Sequence, residues 1–472
     1  MAAILSGKGT LGCMEKPYRN LSFWHDSVPG PLRPRPSLSA DIETDVAIVG
    51  AGYTGLWTAY YLKRANPGLD ITLLEAEIAG YGASGRNGGW CSGYLSGIDH
   101  WLDDPSQRES AVRLQKLMFD TVREVGEVAE AESIDCHFDQ SGALEVAVIP
   151  AQLKRLQQEI EHLRALGFGE DDYRWLGPGE VREALRIDKA VAAIHMRHCA
   201  AIHPPRLARG LAEPLSGQGV RIFEKIPVAS VSGHTLETPG WRVRACSVIG
   251  DTEGYSGSIA GRKRRLIPVH SMMVVTEPLS QQQIDEIAYH RRLCFGNIDR
   301  LVTYGQLTQD NRIAFGCRGT YHFGSGIRIF EPGDPEFKLV AGSLLRFFPA
   351  LEGVDFTHGW GCAMGVSRTL RPSVNFNPDR RFGWAGGYFG NGVGAAHLAG
   401  KTLADLVTGQ ETERTATPWV NPADQDRKWE PEPLRWLGIK SRAQLMHLAD
   451  SAEYSGSPLA PVYSKTLDFL FP

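Results

Sequence analysis

The stretch DVAIVGAGYTGLWTAYYL, residues 45–62, decides the fold. Asp45-Val46-Ala47-Ile48-Val49 is a short apolar, β-branched run, the composition of a parallel strand buried on both faces. It passes directly into Gly50-Ala51-Gly52-Tyr53-Thr54-Gly55, and Leu56 to Arg64 has helical composition until Asn66-Pro67-Gly68 stops it. Ile71-Thr72-Leu73-Leu74 reads as a second strand that closes at Glu75 and Ala76. Strand, glycine turn, helix, strand and terminal acid make one βαβ unit. In such a unit Gly50 permits the tight turn, Gly52 lets a pyrophosphate approach the backbone, and Gly55 allows close helix–strand packing. The helix start at Tyr53 and Thr54 offers unpaired N–H groups and a positive dipole to phosphate. Glu75 is placed to accept hydrogen bonds from a ribose, which favours FAD or NAD over NADP. A chance glycine turn is the alternative, and strand, helix and acid together argue against it.

Two further glycine clusters extend this reading. Gly80-Tyr81-Gly82-Ala83-Ser84-Gly85-Arg86-Asn87-Gly88-Gly89-Trp90 follows the second strand. Its amides, hydroxyl and guanidinium suit a phosphate or a ring carbonyl; alone, it would read equally well as a surface loop. Its position favours the longer ligand, since an NAD enzyme does not need it. Gly383-Trp384-Ala385-Gly386-Gly387-Tyr388-Phe389-Gly390-Asn391-Gly392-Val393-Gly394 precedes a helix over 395–406. Amides there would stabilise negative charge on the edge of a reduced flavin.

Length and composition bound the rest. At about 150 residues per domain, 472 residues suggest three domains, or two with long insertions. Hydrophobic residues at 42% and charged residues at 22% are ordinary for a folded soluble chain. A net charge of −4 with both signs interspersed argues against nucleic acid as a partner. No apolar run approaches the roughly 20 residues of a membrane span. The first residues lack a basic start followed by an apolar stretch, so a soluble, cytoplasmic protein is expected. Eight single cysteines without a CxxC, and fourteen histidines without an HExxH, exclude the common metal spacings; no metal is expected.

Residues 1–40 read as an irregular lead, proline-rich from Pro29 to Pro36. Helices are expected near 105–134, 151–166 and 205–215, with a strand or hairpin over 137–148 around Gly142. Strands are expected at 220–223, 241–249 and 266–276. Asp310-Asn311 marks the turn of a hairpin joining 303–305 to 312–316. From about 413 the chain looks like a Pro-, Trp- and Arg-rich extension wrapping the body.

Taken with the strand that ends Val248-Ile249-Gly250-Asp251-Thr252-Glu253-Gly254-Tyr255, the three clusters resemble the D-amino-acid oxidase superfamily of FAD enzymes, over roughly 22–412. The likeness is greatest to its amine-oxidising branch, which includes γ-glutamylputrescine oxidoreductase, glycine oxidase and monomeric sarcosine oxidase. The resemblance implies an α/β fold: a discontinuous, Rossmann-like FAD-binding domain and an α+β substrate domain with a mainly antiparallel sheet. The FAD domain is expected over 41–106, 196–262 and 363–412, the substrate domain over 107–195 and 263–362, and an extension over 413–472. By position, Gly50, Gly52, Gly55 and Glu75 match the family's adenosine-diphosphate site, and Ser84, Arg86 and Asn87 its second flavin loop. Gly82, Ala83, Gly88, Gly89 and Trp90 flank that loop. Val228 falls where the family contacts adenine, and Gly387, Gly390, Asn391, Gly392 and Val393 run along the isoalloxazine edge. Cys362, ten residues before Pro372, stands in the register of the cysteine that sarcosine oxidases tether to flavin; an ordinary buried thiol is the favoured reading.

The resemblance implies a flavoenzyme that oxidises a small primary or N-alkylated amine or an amino acid to an imine. O2 or another acceptor would reoxidise it, an oxidase being favoured over a dehydrogenase. Tyr304, Arg312, Arg318 and His322 are the catalytic candidates, with His270 as another polar contact and Trp90, Tyr321, Phe323 and Tyr388 as walls. A structural histidine and an ordinary ion-paired arginine are the simpler readings of the His and Arg candidates. The lysine that some relatives use with oxygen has no counterpart: between 266 and 400 the only lysine is Lys338. An NAD(P)H-dependent flavin monooxygenase, a non-catalytic flavin-binding partner protein and an NAD dehydrogenase are the rivals. Substrate identity and oligomeric state stay open.

Overall fold

Strand Ile42–Val49 is the middle of the first sheet in the computed structural model, which describes residues 18–331, 333–424 and 427–470. Its apolar end is buried because parallel neighbours cover both sides: Ile71–Leu74 on one and Arg242–Gly250 on the other. The sheet continues outward through Arg221–Phe223 at one edge, and through Phe382–Gly386 and Ser373–Asn377 at the other. All of these pairings are parallel except the last, which is a hairpin. Ser230–Ser232 and Thr235–Glu237 form an antiparallel flap on the 242–250 strand.

Helices Tyr53–Ala65, Pro204–Gly217 and Gly392–Thr408 supply the apolar cover of this sheet, with Leu56, Trp57 and Leu211 fully buried. Helix Arg108–Ala131, in the segment expected to belong to the substrate domain, packs its Leu114, Met118 and Val122 into this first core.

The second sheet runs in the order Phe356–Ser367, Leu266–Thr276, Ile313–Thr320, Thr303–Leu307, Cys294–Asn297, Ala143–Ala147, Ala192–Met196, Tyr173–Leu176. Its pairings are antiparallel except the one between Cys294–Asn297 and Ala143–Ala147. Alternation sends Leu144, Phe295 and Phe315 into a core of their own with Leu344 and Phe348. The residues of the opposite parity, Ala143, Glu145, Ile194, Gly296 and Tyr304, face helix Pro150–Ala165 and the first sheet's loops. The α/β architecture with a parallel nucleotide-type sheet and a mainly antiparallel second sheet is the one expected.

The expected elements lie close to those observed. The 137–148 segment is strand only at Ala143–Ala147, and the hairpin pairs Thr303–Leu307 with Ile313–Thr320. The lead contains two single helical turns, Tyr18–Leu21 and Phe23–Asp26; residues 1–17, with Cys13, lie outside the described residues. The C-terminal extension, for which no elements were expected, forms helices Leu434–Tyr454 and Ala460–Leu470. Ion pairs Arg155–Glu453 (2.8 Å), Arg300–Asp450 (3.0 Å) and Arg300–Glu453 (2.8 Å) clamp the first of them to the second sheet's loops. Among the described residues, no helix is long and apolar enough to cross a membrane.

Candidate functional site

Gly50 ends the central strand with φ +103°, and a Cβ there would stand 2.5 Å from the Asp251 carbonyl oxygen. A Cβ on Gly55 would stand 2.2 Å from the Gly50 carbonyl oxygen, so the helix sits directly on the turn. Gly52 precedes the helix and offers no side-chain cap. Here the chain presents backbone where a phosphate would lie. The Ala51 and Glu77 amides donate to the two oxygens of Glu75, at 2.8 and 2.9 Å. Burial pushes the Glu75 carboxyl up to about 7, with those two amides opposing. Ile226 donates its amide to the Glu75 carbonyl (2.9 Å), which brings the buried Val228 segment alongside. The exposed Ala76 is next in the chain.

The second loop is a single helical turn, Ala83–Arg86, begun by Gly82. Ser84 Oγ accepts from the Tyr53 amide at 2.8 Å, which leaves its hydroxyl proton to donate elsewhere. Asn87 turns its side chain inward: Nδ2 donates to the Ala83 and Ser84 carbonyls and Oδ1 accepts from Gly89. Arg86, expected to be a ligand donor, also makes contacts within the protein. Its guanidinium donates to Tyr255 Oη (2.6 Å) and the Gly361 carbonyl (3.3 Å) and lies over the Tyr81 ring. Trp24 and Trp360 hold the loop by donating to the Asn87 and Arg86 carbonyls, at 2.9 and 3.0 Å.

The third loop is shaped by left-handed residues, Gly387 (φ +78°), Phe389 (φ +46°) and Gly390 (φ +110°). The Gly387 and Tyr388 amides donate to Glu253 Oε1, at 2.9 and 3.4 Å, and the Ala385 amide donates to Asp251 Oδ1 at 3.0 Å. Burial raises the Asp251 and Glu253 carboxyls to about 7 each. These two acids at the end of the 242–250 strand therefore fix the loop that faces the first glycine turn. Asn391 donates to Ser96 Oγ at 2.8 Å as the Gly392–Thr408 helix begins.

The loops converge on one chamber of about 470 Å3. Tyr53, Thr54, Ser84, Asn87 and Gly88 line one side; Gly390, Asn391, Gly392 and Val393 line another. The second sheet closes it with Tyr304, Gly296 and Glu145 on one part and Cys362 and Met364 on another. Gly50, Gly52, Glu75 and Val228 stand off the chamber, at the strand ends that lead to it. A glycine turn and a half-buried acid at the strand ends, next to a chamber lined by two further glycine loops, have the form that a dinucleotide with a ring system needs.

The catalytic candidates separate. Tyr304 lines the chamber, its hydroxyl hydrogen-bonded to Ser271 Oγ, which also donates to the Cys317 carbonyl (3.0 Å). Burial raises the phenol far above its ordinary value, so it stays protonated. Arg318 also lines the chamber, over the Phe389 ring and close to Gly390. Burial lowers its pKa, no carboxylate among the described residues pairs with it, and a guanidinium stays charged regardless. Arg312, just before that strand begins and about 20 Å away, pairs with Asp310 at 2.7 Å and lies off the chamber. The six-residue offset that looked interchangeable in sequence separates a wall residue from a surface ion pair. His322 and His270 meet each other and Phe330 edge to face outside the chamber, and burial lowers both. Of the aromatic walls, Trp90, Tyr304 and Tyr388 are in place. Tyr321 instead donates to Glu432 at 2.6 Å, and Phe323 faces solvent. Cys362 is buried on the wall, and burial pushes its thiol up while nearby Arg86 pulls it down. Lys338 is exposed on helix Pro335–Phe347, so Arg318 is the cation on the chamber wall among the described residues. Sequence reasoning missed Asp99, Glu145 and Glu159, which also line the chamber. No motif surrounds any of them.

A family model described as DAO, FAD dependent oxidoreductase, matches residues 45–406. The chain is 31% identical over 382 residues to γ-glutamylputrescine oxidoreductase of Escherichia coli K12, covering 80% of this chain and 86% of that protein. It is 28% identical over 395 residues to the probable oxidoreductase OrdL of Haemophilus influenzae, covering 80% and 85%. In fold it resembles the crystal structure of glycine oxidase from Geobacillus kaustophilus, with TM-score 0.64 at 20% identity over 78% of this chain and 96% of that one.

Proposed function

The chain belongs to the FAD dependent oxidoreductase family, and on that premise we propose that it oxidises a small primary or N-alkylated amine, or an amino acid, at the carbon next to nitrogen. The convergence of three glycine loops on a chamber walled by Tyr304 and Arg318 carries this reading. FAD fits the residues present. Gly50, Gly52 and Glu75 would hold its adenosine diphosphate, Val228 its adenine, and Ser84 its pyrophosphate. The Gly390–Val393 amides would hold the flavin edge. When bound, it supplies the hydride acceptor.

The rest of the reaction falls to this chain's side chains. The substrate carbon loses a hydride and its nitrogen loses a proton to water; the imine then takes up water to give a carbonyl compound and the released amine. Arg318 would bind the carboxylate of an amino-acid substrate as a fixed fork. Because Ser271 gives its one hydroxyl proton to the Cys317 carbonyl, the protonated Tyr304 hydroxyl donates to Ser271 Oγ and would orient the substrate nitrogen by accepting from its N–H. Trp90, beside Tyr304, would exclude water from that face. We assign O2 as the acceptor, reduced by two electrons and two protons to H2O2, because Arg318 places fixed positive charge on the chamber wall.

The test is the visible spectrum of the purified protein, recorded anaerobically as amines and amino acids are added. Bleaching of the flavin band near ~450 nm by an amine, with peroxide formed on readmitting air, is the expected result. Bleaching by NAD(P)H but by no amine would move the chain to the monooxygenases, and a protein that takes up no FAD would end the reading.

A further inference from the structure

Register places four residues in one row across the second sheet: Gly316 beside Tyr304, Tyr304 beside Gly296, and Gly296 beside Glu145. Neighbours in such a row share a face, so Tyr304 and Glu145 both point to the chamber. They stand two strand spacings apart, about 10 Å. Gly296 between them carries no side chain, and a Cβ there would lie 3.7 Å from the Trp90 ring. The floor from Tyr304 to Glu145 is therefore bare backbone flanked by an indole.

At its far end this floor meets Glu159 from helix Pro150–Ala165, and Asp99, which accepts a hydrogen bond from Tyr94 at 3.2 Å. The Glu145 side chain is accessible and lines the chamber. It accepts no hydrogen bond and joins no ion pair among the described residues. Burial and then the Glu159 charge push it up to about 7. His162, on the same helix as Glu159, offsets the negative charge at Asp99 and Glu159. The described residues contain no group of three acids, histidines or cysteines close enough to hold a metal. A ligand that fills the chamber takes the water from this unpartnered carboxylate, which is costly unless a cation arrives with the ligand.

We propose that this end of the chamber is a cation subsite, and that the substrate is a diamine or diamino acid whose remote ammonium group docks between Glu145 and Glu159 while its other amine is oxidised beside Tyr304. The inference rests on the reading that an amine is oxidised in this chamber. Arg318 and the acids then sort the ends of a diamino acid, with carboxylate toward Gly390 and remote ammonium toward Glu145. The indole of Trp90 adds a cation-attracting face along the way.

The test uses the FAD-loaded enzyme, a series of α,ω-diaminoalkanes of graded length, and n-alkylamines of matching length. Anaerobic flavin bleaching and thermal-shift titration give two independent affinities for each compound. One diamine length should be preferred over its monoamine by about tenfold to a hundredfold, the worth of a charge-assisted contact. Glu145→Gln, which keeps size and shape, should bring that ratio toward one, and Glu159→Gln should narrow it. Either variant suffices if the other melts early. A ratio near one in the wild type, or a ratio untouched in both variants, overturns the subsite while leaving amine oxidation standing. Bleaching by NAD(P)H and by no amine overturns the reading beneath it.

Discussion

Gly50→Ala should disable flavin binding without touching any side chain. Gly50 has φ +103°, a conformation an alanine adopts only under strain, at a cost of about 1–3 kcal/mol. The new Cβ would also stand 2.5 Å from the Asp251 carbonyl oxygen. Relief requires the 242–250 strand end to move, yet the Asp251 amide donates to the Val49 carbonyl at 2.9 Å and its carboxylate caps Ala385. Overpacking of this kind costs a further ~1–3 kcal/mol, so the total is roughly 2–6 kcal/mol against a stability of about 5–15 kcal/mol. The displacement reaches the third glycine loop through Asp251, so two of the three loops are disturbed by one methyl group. The assay is the flavin-to-protein ratio of the purified variant and its melting temperature with and without added FAD. Both should fall, and excess FAD should restore little of the loss. Gly179→Ala is the control: it lies in helix Pro178–Ala184 with nothing within 4 Å, and alanine there should gain up to about 1 kcal/mol. Wild-type flavin content and melting temperature in Gly50→Ala would falsify the claim that this turn is built for backbone alone.

Other expectations concern charge, covalency and the C-terminal helices. Burial holds Glu253 near 7 in the folded protein against about 4.3 unfolded, so the native state binds the extra proton between those values. Its contribution is therefore present below about pH 4 and lost as pH rises through 7, by about 3 kcal/mol. In the apoprotein Glu253→Gln should flatten the fall in melting temperature between pH 5 and pH 8, while the loop amides keep an acceptor. Acid-precipitated wild-type protein should release its flavin to the supernatant, and Cys362→Ser should retain normal flavin content. A yellow pellet lost in Cys362→Ser would show the covalent link instead. Asp450→Ala should raise KM more than it lowers kcat and cost about 1–3 kcal/mol, because Asp450 also accepts the Arg300 and Leu301 amides at 3.3 and 3.1 Å in a loop that reaches the chamber. Unchanged kinetics would separate the C-terminal helices from the site.

The βαβ unit was legible because its requirements are local: a β-branched run, glycines where backbone must approach backbone, and an acid at the next strand end. The 303–320 hairpin was legible for the same reason, Asp310-Asn311 being a turn signal between two apolar runs. Arg86 was read as a ligand donor because a guanidinium in a glycine loop has the right chemistry for phosphate; only the tertiary approach of Tyr255 and Gly361 shows that donors of it are also engaged within the protein. The acids were invisible for a related reason. Glu145 meets Gly296 across 151 residues of sequence through a single parallel pairing, and neither stretch announces it. The Leu434–Tyr454 helix was hidden by Pro431 and Pro433 just before it, which colour the composition of the whole tail.

The pairing of Ile42–Val49 with Arg242–Gly250 joins residues 201 positions apart, Ile42 to Val243. At about 5–20 residues per second, a ribosome needs roughly 10–40 s to deliver the second strand after the first. Through that interval the Ile42–Val49 strand has an open edge and the first glycine turn lacks the Asp251 carbonyl it is shaped against. The third loop arrives later still, because Val248 pairs with Phe382. The chamber between the three loops is thus incomplete until most of the chain is made. Nascent chains of this protein must be shielded rather than templated by flavin, and their yield in a cell should follow chaperone supply and translation rate more closely than riboflavin supply.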